Sequence, residues 1–271
     1  MLAQVSQEEL RSKILHAWEA AQHSWVIPIH IGPVDLSINK IIWFLFLGAA
    51  ITFVILFIGA RLLKDRPNAY QVIVEEVYGF GRSYLGGQIG DEGLKWFPYT
   101  LSIFVFVLTL NIIGLFPDSY PVTSNLSFTA TLALITFVLT HYMGVKRNGA
   151  GTYFKSWVPA GLPGGPVSKT LMSLFMFFIH TLSEIARPVT LAVRLYANML
   201  AGHLIIFVFL SFILYAGGFF SVAGALVTVV AVPAAIVFYA FEIFVAVLQA
   251  YIFAILTQVY IELAIYADEG H

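Results

Sequence analysis

The sequence predicts an all-α polytopic membrane protein. It has about five membrane helices plus an interfacial helix, and the last two membrane helices are long and strongly tilted. Of 271 residues, 59% are apolar and only 11% are charged, against about 45–50% and about 25% in ordinary soluble domains. Mean hydropathy is +0.87. The apolar residues fall in uncharged runs as long as a bilayer requires, about 20 residues each.

The same composition narrows the functional classes. The formal net charge is -1, so there is no basic field for phosphates, and no nucleic-acid partner is expected. The sequence has no Cys, which excludes disulfides, thiolate nucleophiles and Cys-based metal sites.

Residues 1–40 hold a large share of the charges, including Glu8, Glu9, Arg11, Lys13, Glu19, Asp35 and Lys40. This stretch is expected to be an extracytoplasmic N-terminal segment, with 41–271 a single membrane domain. It lacks the positive start of a secretory leader, and its apolar run comes too late for one. Ser6-Gln7-Glu8-Glu9 has the pattern of a capping box, so a short polar helix is expected from there toward Ala21. Pro28, Gly32 and Pro33 are expected in loop.

Residues 41–60, 97–116 and 126–145 each qualify as a span, the last with His141 inside it. Residues 70–88 carry Glu75, Glu76 and Arg82 among Val, Ile, Tyr and Phe, the composition of a helix lying at the interface. A turn is expected over 117–125, and a Pro- and Gly-rich loop over 146–169. Residues 170–216 are interrupted only by Pro188 and Gly202. As one helix that run is about 70 Å long, and 222–261 is about 60 Å, against a hydrocarbon core of about 30 Å. The residues around Glu242 offer no turn chemistry. Two long oblique helices joined at Gly217–Ser221 are therefore preferred to four short ones. Of the loop Lys and Arg, nine fall on one side of the five crossings and three on the other. The richer side should be cytoplasmic, with the N-terminus outside and the C-terminus inside.

Ionisable groups at membrane depth are costly and persist mostly where they face a cavity or a partner. Here His180, Glu184, Arg187, Arg194 and His203 lie on the first long helix and Glu242 on the second. At 100° per residue, His180, Arg187, Arg194, Asn198 and Ala201 share one face. His203 falls roughly opposite. Glu242, Gln249 and Tyr260 form a stripe on the second helix. A guanidinium cannot cycle a proton, so Arg194 is a fixed cation, an anion site or half of an ion pair. Glu184 is ten residues away on the same helix, out of i,i+4 reach. The small residues Ala192, Ala197 and Ala201 leave room for another helix to approach, which points to a carboxylate supplied by a different subunit.

Plainer roles stand beside these. Arg187 next to Pro188 either snorkels or caps a kink. His141 near a span end reads as an interfacial residue in preference to a relay. Glu184 can pair with His180 as ordinary helix glue. Asn111 and Gln249 can be interhelical hydrogen bonds only. Two further classes compete with a stator role. A secondary transporter binding a small anion at Arg194 would show repeats or broken helices, and neither is seen. An intramembrane hydrolase would need an H-E-x-x-H site or a Ser/His/Asp set. No H-E-x-x-H is present in the sequence.

Three motifs carry a family resemblance. Leu191-Ala-Val-Arg194-Leu-Tyr-Ala-Asn198-Met-Leu-Ala-Gly202-His203 resembles the segment around the essential arginine of the a-subunits of F-type ATP synthases. Phe241-Glu242-Ile-Phe-Val-Ala-Val-Leu-Gln249-Ala-Tyr-Ile-Phe resembles the last helix of that family, and Leu110-Asn111-Ile-Ile-Gly-Leu-Phe-Pro117 its second span. The resemblance covers about residues 40–265 of the sequence. His203 and Glu242 exchange an acid and a histidine relative to some members, as the mitochondrial form does, and His180 stands where many members carry Glu.

The resemblance implies a non-catalytic, proton-translocating stator subunit, and the absence of an Arg-rich, acid-poor leader points to a bacterial plasma membrane. It implies no cofactor, with protons as the transported ion. Its partners would be a ring of subunit c proteolipids, the peripheral-stalk subunit b, the rest of the ATP synthase and the lipid bilayer. Arg194 would be the essential residue, with Ala197, Asn198 and Ala201 facing the rotor. His203, Glu242, Asn111 and Gln249 would line the outer proton-uptake half-channel. His180 and Glu184 would line the inner release half-channel.

Overall fold

Asn39 begins the membrane part of the chain. Its side-chain oxygen accepts a hydrogen bond from the Ile42 amide at 3.0 Å and caps helix α1, Lys40–Arg61, as an Asn preceding a helix commonly does. Arg61 sits in the last turn, where a cation complements the helix dipole, and lies over the Phe57 ring. The computed structural model describes residues 26–27, 30–31, 34–35, 38–61, 75–76, 78–79, 82, 94–116, 119–158, 165–215 and 222–267.

Among the described residues, five helices are long and apolar enough to cross a membrane. After α1 come α2 (Phe97–Gly114), α3 (Leu126–Asn148), the short α4 (Ala150–Lys155), α5 (Pro166–Tyr215) and α6 (Val222–Ile265). Asn125 caps α3 by accepting from the Ser127 amide at 2.9 Å. Gly149, with φ of 77°, ends it in the backbone region that a glycine occupies without strain.

Both long runs are single helices, of 50 and 44 residues. Pro188 and Pro233 lie inside them without ending them, as prolines do in membrane helices whose neighbours satisfy the freed backbone groups. A 50-residue helix is about 75 Å long.

One expectation is corrected. The stretch 146–169 is not all loop. α3 runs to Asn148 and α4 follows at once, because the prolines begin only at Pro159. Among the described residues, the N-terminal segment also carries four two-residue strands, Val26–Ile27, His30–Ile31, Val34–Asp35 and Ile38–Asn39, here β1 to β4. β1 pairs antiparallel with β4, and β2 with β3; their β-branched residues favour extended backbone. Of the interfacial helix expected over 70–88, residues 75–76, 78–79 and 82 are helical; its remainder lies outside the described residues. So do the Ser6-capped helix, Pro28, Gly32, Pro33 and the Gly217–Ser221 turn.

α6 is the central helix, with α2, α3 and α5 packed on it. Its residues Ala246, Ala250 and Ala254 are fully buried at four-residue spacing. Small residues on one ridge let backbones approach closely, which is how membrane helices gain packing without a hydrophobic driving force. α5 answers with Leu191, Leu195 and Met199, also buried at four-residue spacing. The opposite face of α5, including Val193, Arg194, Ala197, Asn198 and Ala201, is exposed. The 3-10 turn Val122–Ser124 is buried and packs on α2 and α5.

Candidate functional site: a solitary arginine between two acid–histidine clusters

His180, Glu184, Arg187 and His203 of α5 and Glu242 of α6 fall into two separate clusters with Arg194 between them. Antiparallel packing of the two helices sets the pairings, so that residues further along α5 meet residues earlier on α6.

The first cluster centres on Glu184, which is 6% exposed. Its Oε1 lies 3.2 Å from His180 Nε2 and 2.5 Å from Arg187 Nη1. Its Oε2 lies 4.0 Å from His141 Nε2 on α3. Arg187 also stacks over the Tyr260 ring of α6 at 5.1 Å. Arg187 therefore has a carboxylate and an aromatic face, and its snorkelling role is replaced by a definite pairing. Glu184, His180, Arg187 and Tyr260 open on a cavity of about 270 Å³ whose wall includes Tyr153 and Trp157. Trp157 lies against both imidazoles, 5.0 Å from His180 and 6.0 Å from His141 between ring centres. Burial pushes the Tyr153 phenol, outside the spans, up to about 12, with the Glu184 charge adding to the rise, so Tyr153 is a neutral donor at this mouth.

The second cluster joins α5, α6 and α2. His203 Nε2 lies 3.5 Å from Glu242 Oε1, and Glu242 is 3% exposed. Asn198 donates to Gln249 Oε1 at 2.8 Å, and Asn111 on α2 donates to the Ala246 carbonyl at 3.1 Å. Asn198 faces outward on the Arg194 side of α5 while its amide reaches this cluster. Glu242 Oε1 and Oε2, His203 Nε2, Asn111 Oδ1 and Gln249 Nε2 are buried without a hydrogen-bond partner among the described residues. Buried polar atoms in native proteins are almost always satisfied, often by ordered water.

Arg194 belongs to neither cluster. Among the described residues no carboxylate reaches salt-bridge distance of it. It stands exposed with Ala197 and Ala201 on the open face of α5. Glu184 is ten residues before it and His203 nine after it, about 15 Å and about 14 Å along the helix axis.

Two features escaped the sequence. His141 faces Glu184 across the α3–α5 contact. Glu262 and Gln258 on α6 are fully buried. Gln258 donates to Glu262 Oε1 at 2.6 Å and accepts from the Thr100 hydroxyl of α2 at 2.5 Å. The available signal was an acid and an amide four residues apart at the end of an apolar run. Groups of three or more residues able to hold a metal are absent among the described residues.

The fold and site define a polytopic α-helical membrane protein with ionisable side chains kept inside its spans. A family profile described as ATP synthase A chain matches residues 41–262, and the chain belongs to that family. It is 65% identical over 268 residues to the ATP synthase subunit a of Rubrobacter xylanophilus, covering 99% of this chain and 100% of that protein. It is 38% identical over 243 residues to the subunit a of Bradyrhizobium diazoefficiens, covering 89% and 93%. With the subunit a of Bartonella bacilliformis it shares 34% identity over 259 residues, covering 95% and 97%.

Proposed function

We propose that this chain is the non-catalytic, proton-translocating stator subunit of a rotary ATP synthase. In this role it forms two offset half-channels against a ring of c-type proteolipids. The observation that carries the proposal is the placement of Arg194: exposed, without an ion-pair partner among the described residues, and midway between two buried acid–histidine clusters.

The physics follows from that placement. A ring carboxyl facing lipid is stable only when neutral. Beside a guanidinium its charged form is favoured, and it gives up its proton. Glu184 and His180, with the 270 Å³ cavity, form the inner release path. His203, Glu242, Asn111 and Gln249 form the outer uptake path, from which the carboxyl is reprotonated before it re-enters lipid. Arg194 keeps the two paths from joining, since a fixed cation repels a proton and cannot itself carry one. Proton flow can then proceed only by turning the ring. The excess of Lys and Arg on one side puts the C-terminus in the cytoplasm and the N-terminus outside, in a bacterial plasma membrane. The peripheral-stalk subunit b and the rest of the synthase would hold this chain still against the ring. The small-residue face of Ala197 and Ala201 gives the ring room to approach.

Cysteines placed at Ala197 and Asn198, one at a time, test the arrangement. In the assembled complex each should form a crosslink to a small hairpin subunit close to its membrane carboxylate. Crosslinking only to lipid-facing or stalk components would contradict it.

A further inference from the structure

Beyond the Glu184–His180 pair, α3 brings a third group to the release path. His141 Nδ1 lies 3.0 Å from the Phe137 carbonyl. A carbonyl can only accept, so Nδ1 carries the hydrogen and the tautomer is fixed. The other nitrogen, Nε2, is buried without a hydrogen-bond partner among the described residues and points at Glu184 Oε2, 4.0 Å away. In the neutral ring both atoms are acceptors, so a donor seated between them would bond to both. Next to them is a void of about 10 Å³, lined by His141, Thr140, Glu184, Leu191 and Tyr260 among others. That is the size that admits about one water. The Thr140 hydroxyl on its wall is also buried without a partner among the described residues, so a water there would have polar neighbours on several sides. The void and the 270 Å³ cavity share Glu184, Arg187, Thr140 and Tyr260. The cavity lies on the His180 side of Glu184, and the void on the His141 side. Leu191, on the void's wall, is three residues before Arg194.

We propose that His141 is the innermost proton-carrying residue of the release path, passing its proton across a one-water void to Glu184. The proposal rests on the stator reading above. A proton arriving from the ring bonds to His141 Nε2 and makes an imidazolium. That N–H bond breaks as an O–H bond forms on Glu184 Oε2 through the single water. His141 returns to its neutral form with Nδ1–H untouched, and Glu184 hands the proton to the cavity beside His180. The charged and titratable groups facing this step are His180, Glu184 and Arg187 from α5, Tyr153 beyond α3, and Tyr260 from α6. Histidine is the side-chain type that gives and takes protons near neutral pH, and the Nδ1 bond keeps the exchanging nitrogen aimed at its acceptor.

The test uses complete ATP synthase in membrane vesicles carrying His141→Gln, which keeps a polar side chain of similar reach but cannot be protonated. The complex should assemble with its ring, and proton-driven synthesis should fall on the order of 100-fold, the usual loss when a proton-transfer group is removed. The dependence of rate on inner-side pH should also lose a titrating step. Glu184→Gln should give a similar loss, and the double variant should be little worse than either. Wild-type synthesis with an unchanged pH profile in H141Q would overturn the proposal. If H141Q fails to assemble, Thr140→Val removes the hydroxyl from the void with little change of volume. A reduced passive proton conductance in T140V supports the one-water step, and an unchanged conductance overturns it. Arg194→Ala, run alongside, separates the two claims. Active R194A defeats the stator reading, whereas inactive R194A with normal H141Q defeats only the relay.

Discussion

Gly202 on α5 lies directly against the Glu242 side chain of α6. A Cβ built on Gly202 would stand 2.6 Å from Glu242 Oε1 and 2.9 Å from its Cγ. The missing side chain is what lets a nearly fully buried carboxylate fit between the two long helices beside His203. The glycine serves close approach, since it lies within α5.

Gly202→Ala should therefore push Glu242 out of place. Overpacking a filled site costs about 1–3 kcal/mol, and here the group displaced is the buried acid itself. We expect the complex to assemble with ATP synthesis reduced and passive proton uptake slowed in proportion. Unchanged proton conductance in G202A would show that Glu242 does not need its present position.

His203 and Glu242 should act as one unit. For residues in direct contact, the double-mutant interaction is about 0.5–3 kcal/mol. His203→Ala, Glu242→Ala and the double variant should thus give strongly non-additive losses of proton conductance. Strict additivity would mean that the 3.5 Å approach carries no proton traffic.

The buried chain from Thr100 through Gln258 to Glu262 is expected to fix α6 on α2. Thr100→Val deletes the hydroxyl that donates to Gln258 at 2.5 Å while keeping the shape of the side chain. Leaving a buried acceptor without its donor costs about 1–3 kcal/mol. Thermal unfolding of the purified complex should show the loss, and Thr100→Ser should largely restore it. A T100V protein as stable as its parent would count against the clasp.

Tyr153 should remain a phenol far into alkaline conditions. Its pKa is raised from 10.0 to about 12, by burial first and then by the Glu184 charge. The protonated form is favoured in the folded chain, so this contribution to stability is whole below pH 10 and lost as the pH climbs through 12. The difference in phenolate absorbance between the parent and Tyr153→Phe should rise near pH 12 and show no step near pH 10. A step at pH 10 would place Tyr153 in water.

Most of the membrane fold was legible because the solvent is demanding. In lipid only helices satisfy their own backbone, so uncharged runs translate directly into spans. The absence of turn chemistry around Glu242 was enough to expect one helix where length alone allowed two. The helical step also placed Arg194, Asn198 and Ala201 on one face, which the structure leaves open. Less legible were contacts between segments distant in sequence. His141 lies 43 residues before Glu184, and no periodicity within α3 reveals what α5 presents to it. Glu262 is partnered by Gln258 and, through it, by Thr100, 158 residues away from Gln258. The strands near residues 26–39 were hidden by the prolines and glycine read as loop, since the Val and Ile pairs between them are too short to show a period.

In the proposed role Arg194 is a fixed cation that meets a carboxyl supplied by the ring. The most direct measurement is ATP synthesis together with passive proton leak in membranes carrying Arg194→Ala in the otherwise intact complex. Synthesis should be abolished while the two half-channels, no longer separated, conduct protons without turning the ring. Normal synthesis with a tight membrane would contradict it.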